Sequence, residues 1–122
     1  MQVLLLKSPC MSDIHSCLIE LDISKQDIVN LAKSEKKTMI QVGQGVSIYR
    51  VDDNDKPAFV CNKRGHYTIY TGDYVLIDET LTGLTEEQLE YIRTIFKVQV
   101  AVRDIVDRQK VYGSYMVSVI DG

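Results

Sequence analysis

Two sulfur–imidazole pairs share one spacing, Cys10-x4-His15 and Cys61-x4-His66, and Cys17 lies two residues past His15. Zinc takes ligands of these types in tetrahedral sets of four, and two loops brought together would supply such a set. Structural zinc sites usually carry closely spaced Cys pairs, however, and this chain has enough apolar residues to build a core without an ion. The simpler assignment makes Cys61 a strand residue of the core and Cys10 and Cys17 small buried hydrophobes, with no metal bound. A metal-dependent or cysteine hydrolase is the least favoured reading. A cysteine nucleophile needs its thiol pKa lowered, often at a helix N-terminus, and none of the three cysteines precedes an expected helix.

The carboxylates point no further. Asp52, Asp53 and Asp55 fall in a turn-forming run without a second group placed for acid–base work. Counted as a calcium loop from Asp53, that run has Ala58 at position six and Arg64 at position twelve, where Gly and Glu are needed. Gly43-Gln44-Gly45 begins like a dinucleotide fingerprint, but Ile48 occupies the third glycine position and a strand follows where a helix should open. The sequence therefore predicts no catalytic residues, no cofactor and no enzyme.

Binding chemistry is better represented. The chain has seven tyrosines and no tryptophan, and Tyr67, Tyr70 and Tyr74 cluster with Arg64 and His66 around one turn and the strands after it. Tyr and Arg dominate protein interfaces and stack on planar ligands. Period-two alternation puts Tyr67 and Ile69 on one face of a strand and Thr68 and Tyr70 on the other, so at most one of the two tyrosines belongs to the core. Arg64, His66, Tyr67 and Tyr70 are the candidate partner- or ligand-binding residues. Lys63 and Arg64 could also join Arg103, Arg108 and Lys110 as a phosphate pocket, and Tyr112 lies near that second basic turn.

These residues must be held by a folded domain. The 122 residues are 45% apolar and 25% charged, which fits one domain spanning 1–122. No apolar run reaches the ~18 residues of a membrane span, and the Val3-Leu4-Leu5-Leu6 run is too short for a signal peptide, so a cytoplasmic location is expected. Three cysteines, an odd number, fit a reducing compartment. The net charge of −3 gives no basic stripe for nucleic acid.

Residues 2–7 read as a first strand, closed by Ser8-Pro9, and 14–21 is ambiguous. Ser24 with Asp27 begins a helix over about 25–35, whose buried face would be Ile28, Leu31 and Ala32. Strands are expected at 39–42, 46–51, 58–61, 67–70 and 74–77, separated by the Gly43–Gly45 break, the Asp52-to-Pro57 turn, the Asn62-to-His66 turn and a Thr71-Gly72-Asp73 bend. A second helix, about 85–97, is capped by Thr85 with Gln88 at the third position, and buries Leu89, Ile92 and Phe96. Strands return at 98–102 and 111–120. The expected fold is α+β: a mostly antiparallel sheet with two short helices packed on it. A chain this short must cover or pair its sheet edges, so a homodimer or other homo-oligomer is expected.

Gly72-Asp73-Tyr74-Val75-Leu76-Ile77, followed by Leu84-Thr85-Glu86-Glu87-Gln88-Leu89 with Tyr91 and Phe96, resembles a pattern of small phage and prophage accessory proteins of unknown function. There a strand meets Gly-Asp-Tyr or Gly-Asp-Trp, a hydrophobic strand and a short C-terminal helix. This chain lacks the glycine-led hairpin strand between the two parts and continues beyond the helix. The resemblance implies a viral protein in the host cytoplasm that is not an enzyme. The expected function is a small binding protein that inhibits or occludes a host protein, such as a defence or transcription component. The alternative is a binder that sequesters a nucleotide-like small molecule by aromatic stacking and cation–phosphate contact. Neither nucleic acid nor membrane is an expected partner.

Overall fold

A computed structural model describes residues 2–8, 18–24, 26–27, 30, 39–106 and 115–121, with backbone alone at 97–99, 104, 106 and 121. Strands take up 63% of the described residues. They are β1 (Gln2–Leu6), β2 (Leu18–Asp22), β3 (Met39–Gly43), β4 (Val46–Lys63), β5 (His66–Asp78), β6 (Phe96–Ala101) and β7 (Met116–Asp121). The helix α1 (Glu86–Ile95) precedes β6, and a five-residue helical segment, α2 (Val102–Val106), follows it. No helix among the described residues is long and apolar enough to cross a membrane.

The strands form one curled, mixed sheet in the order β2-β1-β5-β4-β7-β6, with β3 pairing β4 off that path. This corrects the expectation of two helices on an antiparallel sheet. Phe59, Val60, Cys61 and Asn62 pair in parallel with Ser118, Val119, Ile120 and Asp121. A parallel neighbour needs a long crossover connection, and the passage through α1 and β6 supplies it. Short turns between successive strands gave no sign of that crossover. The expected 25–35 helix lies largely outside the described residues, so α1 is the one helix longer than five residues among those described.

The pair β4–β5 is a single long bent ribbon where four separate strands were expected. The two expected breaks, at 52–57 and 71–73, face each other across it. Asp52 pairs Asp73 and Pro57 pairs Thr71, so residues 53–56 bulge out opposite Gly72 alone. Gly72 sits at φ +100°, and a Cβ there would collide with the carbonyl oxygen of Asp52 and lie 2.8 Å from Arg50 Nε. Only glycine meets both conditions. The bulge is tied down by side chains. Arg50 Nη2 pairs Asp53 at 2.6 Å and donates to the Asn54 carbonyl and to Thr71 Oγ1. Ser8 Oγ donates to the Lys56 carbonyl, and Asp73, buried, accepts from Ser8 N–H at 2.9 Å.

Because the sheet curls, its faces carry three apolar clusters. The inner one joins Leu4, Leu6, Val46, Ile48, Phe59, Tyr74 and Leu76 to Ile92 and Ile95 of α1 and to Phe96 and Ile120. Val3, Tyr49, Val75 and Ile77 form a second cluster on the opposite face of one half of the ribbon. Val60, Val102 and Val117 form a third on the other half, with Ile69 and Ile105 against it. Alternate residues of β4 and β5 thus serve opposite clusters, as the pleat requires.

Helix α1 starts as its sequence predicts. Thr85 Oγ1 accepts from the Gln88 N–H, and Gln88 Oε1 accepts from the Thr85 N–H. The amide of buried Gln88 also donates to Asp78 Oδ2 at 2.6 Å and to the Gln44 carbonyl. One glutamine therefore joins the helix start, the end of β5 and the β3–β4 turn. Tyr91 Oη adds a hydrogen bond to the Val42 carbonyl. The helix ends at Ile95 and not at 97, because Phe96 has already turned to extended backbone.

Candidate functional site

The β4–β5 ribbon ends in the turn Arg64-Gly65, with φ +52° and +85° at its two residues. Two successive left-handed residues make the type I′ turn that matches the right-handed twist of flanking strands. Pairing continues to the turn itself: Lys63 opposes His66, Asn62 opposes Tyr67 and Cys61 opposes Thr68. Asn62 Oδ1 accepts from the Gly65 N–H at 3.1 Å and braces the turn from within. Residues 63–68 are all exposed, Tyr67 at 47%.

The four candidate residues divide. Arg64, His66 and Tyr67 all lie on the exposed tip, His66 and Tyr67 on opposite faces of the ribbon. Tyr70 turns inward, where its ring stacks on Phe59 at 4.9 Å with 16° between the planes. Tyr74 meets the same Phe59 edge-on at 4.9 Å. Burial, with a smaller contribution from nearby Cys61, pushes the Tyr70 hydroxyl pKa up, and burial pushes that of Tyr74 up to about 12. Both phenols stay protonated at neutral pH. Tyr70 and Tyr74 anchor the ribbon whose far end carries the tip.

The Cys61 thiol pKa is raised, first by burial, which leaves a neutral thiol at physiological pH. Asp53 is engaged by Arg50, and Asp73 by Lys7 at 3.6 Å and by Ser8. Among the described residues no three His, Cys, Asp or Glu side chains gather as a metal site. Cys10, His15 and Cys17, the other half of the sulfur–imidazole pattern, lie outside the described residues, as do Arg108, Lys110 and Tyr112 of the second basic turn. Arg103 is exposed on α2, beside Val102 and Ile105 of the third cluster.

A second feature escaped the sequence reading. Between the β1–β2 pair and α1 runs a groove with two adjoining cavities of about 330 and 210 Å³. The larger is lined by Leu4, Leu18, Glu20, Leu89 and Arg93. Its lining comes from three elements widely separated in the chain, and only the sheet order brings them together. The one local signal is the exposed Glu20 between Ile19 and Leu21. Comparison of the chain with protein-family models, with curated proteins and with solved structures found no match, so the site stands on its geometry alone.

Proposed function

We propose that this chain is a protein-binding module without catalytic activity, acting in the cytoplasm, whose contact element is the β4–β5 tip. Arg64, His66 and Tyr67 touch the partner, and Tyr70 fixes the strand behind them. The observation that carries this reading is the combination at residues 63–68 of strand pairing up to the two-residue turn with exposure of every residue. A contact surface already ordered before binding loses little conformational entropy on association, and Tyr and Arg are the side chains that most often supply binding energy. The tip is convex. A nucleotide-like ligand wants a concave site that buries most of its surface, and the described groove lies elsewhere, lined in part by leucines. The narrower reading, a phage-encoded occluder of a host defence or transcription component, draws on the resemblance of residues 72–77 and 84–96 to phage accessory proteins.

A photo-reactive benzophenone side chain replacing Tyr67 tests the proposal in cells producing the protein. Irradiation should give a discrete protein adduct from position 67 and none from the same group at Glu79, which is also exposed. Arg64→Ala and Tyr67→Ala should each weaken capture of that partner by about 1–2 kcal/mol, while the melting temperature barely moves. Absence of any adduct from position 67 would sink the reading.

A further inference from the structure

The groove and the tip are chemically complementary. The two cavities share Leu4, Glu20 and Leu89, and the smaller continues past Leu84 to Glu86. Among the described lining residues the apolar part is mainly leucine, with Glu20, Glu86 and Arg93 at its edges. Arg93, on one wall, is held at 3.3 Å by Glu90 of its own helix, whereas Glu20 and Glu86 are exposed and have no ion-pair partner among the described residues. A groove whose described lining combines leucines with two unpaired carboxylates suits an insert that carries an exposed ring and a cation. The tip offers an exposed ring at Tyr67 with the cation Arg64 in the turn beside it, while Lys63 shares the other face of the ribbon with His66, on a chain whose net charge is −3.

We infer that the groove of one molecule receives the β4–β5 tip of a second copy, with Tyr67 over the leucines and Arg64 against Glu20 and Glu86. The inference rests on the proposed role of the tip and names its partner as this same chain. The tip of a molecule lies away from its own groove. The groove borders β1, which pairs β5 at Tyr74, Val75 and Leu76, whereas Tyr67 stands seven residues earlier on that strand, roughly 23 Å at ~3.3 Å per residue. Tip and groove are different surfaces, so the contact is heterologous and propagates head to tail into a ring or an open chain.

Sedimentation velocity of the purified chain tests this. The mean mass should rise with concentration beyond twice 13.9 kDa, and fall back in high salt, since exposed ion pairs are screened. The tip variant Arg64→Ala with Tyr67→Ala, and the groove variant Glu20→Lys with Glu86→Lys, should each associate at least about tenfold more weakly alone. Mixed, they should form dimers and stop there, because the tip variant retains a sound groove and the groove variant a sound tip. All four positions are exposed, so unchanged melting temperatures are expected, and Glu20→Gln with Glu86→Gln replaces the charge reversal if that variant folds poorly. A parent that stays at 13.9 kDa throughout, a groove variant that associates like the parent, or a mixture that yields no dimer would each overturn the inference. A monomeric parent that still gives an adduct with a different protein from position 67 overturns this inference alone, whereas no adduct of any kind removes the proposed function with it.

Discussion

Ser118, fully buried on β7 opposite Phe59, has a hydroxyl without a hydrogen-bond partner. A buried polar group left unpaired costs about 1–3 kcal/mol. Ser118→Ala removes that cost with little change in volume and should stabilise the protein by roughly 1 kcal/mol in urea titration; a loss of stability would show that the hydroxyl is satisfied in solution. Asp78 is the opposite case. Hydrogen bonds from the Thr80 side chain and N–H, then from Gln88 and Thr82, hold its carboxyl below the ordinary carboxylate pKa. A group whose pKa is depressed by folding adds stability above its unfolded value, and that stability disappears as pH falls through the folded value. Between neutral pH and about pH 3 the parent should therefore lose more stability than Asp78→Asn, in thermal melts across that range. At this scale the sequence was informative wherever alternation decides, as for Tyr67 and Tyr70, which lie three positions apart and do point to opposite sides. It was silent on Arg50, whose partners Asp53, Asn54 and Thr71 meet it only because the strand bulges.

Among the elements, α1 was the most legible, since its cap, its acidic first turn and its apolar stripe are all encoded within a dozen consecutive residues. Ile92, fully buried in the inner cluster, should cost roughly 2–4 kcal/mol when changed to Ala. Glu90, exposed and paired only with Arg93 three residues on, should cost no more than about 0.5 kcal/mol. Equal small effects in chemical denaturation would mean that the helix is not docked on the sheet. The β4–β5 ribbon was misread for a definite reason. Asp52, Asp53, Asn54, Asp55 and Pro57 are turn formers, and so are Gly72 and Asp73, and each run alone predicts a chain reversal. Placed opposite one another in a pairing ladder, they act jointly as a bend in two strands that keep their directions. Local composition marked where the backbone departs from regularity but not whether the chain reverses there. The tip turn was legible because two left-handed residues suffice to reverse a strand, and Arg64-Gly65 does so between strands already in register.

For the whole molecule, the misjudged quantity was the sense of the sheet. Neighbours in sequence account for β1–β2, β3–β4, β4–β5 and β6–β7, all antiparallel. Two contacts between distant strands complete the fold, the antiparallel one between β1 and β5 and the parallel one between β4 and β7, and no periodicity within the strands encodes either. The parallel contact bears on the order of events during folding. Phe59 and Ser118 are partners across nearly half of the 122 residues, so their meeting requires a large loop to close, whereas the Arg64-Gly65 turn closes almost none. The ribbon and its tip should be organised in the folding transition state and β7 should join afterwards. In stopped-flow experiments, Gly65→Ala, which strains the turn, should then slow refolding, while Val117→Ala should mainly speed unfolding; the reverse partition would mean that β7 docks first. Proteins dominated by such distant pairings refold in milliseconds to seconds. During that interval the chain would already carry a formed tip while Phe59 and Val60 still wait for their cover, so a newly made molecule would acquire its contact element before it acquires its finished core.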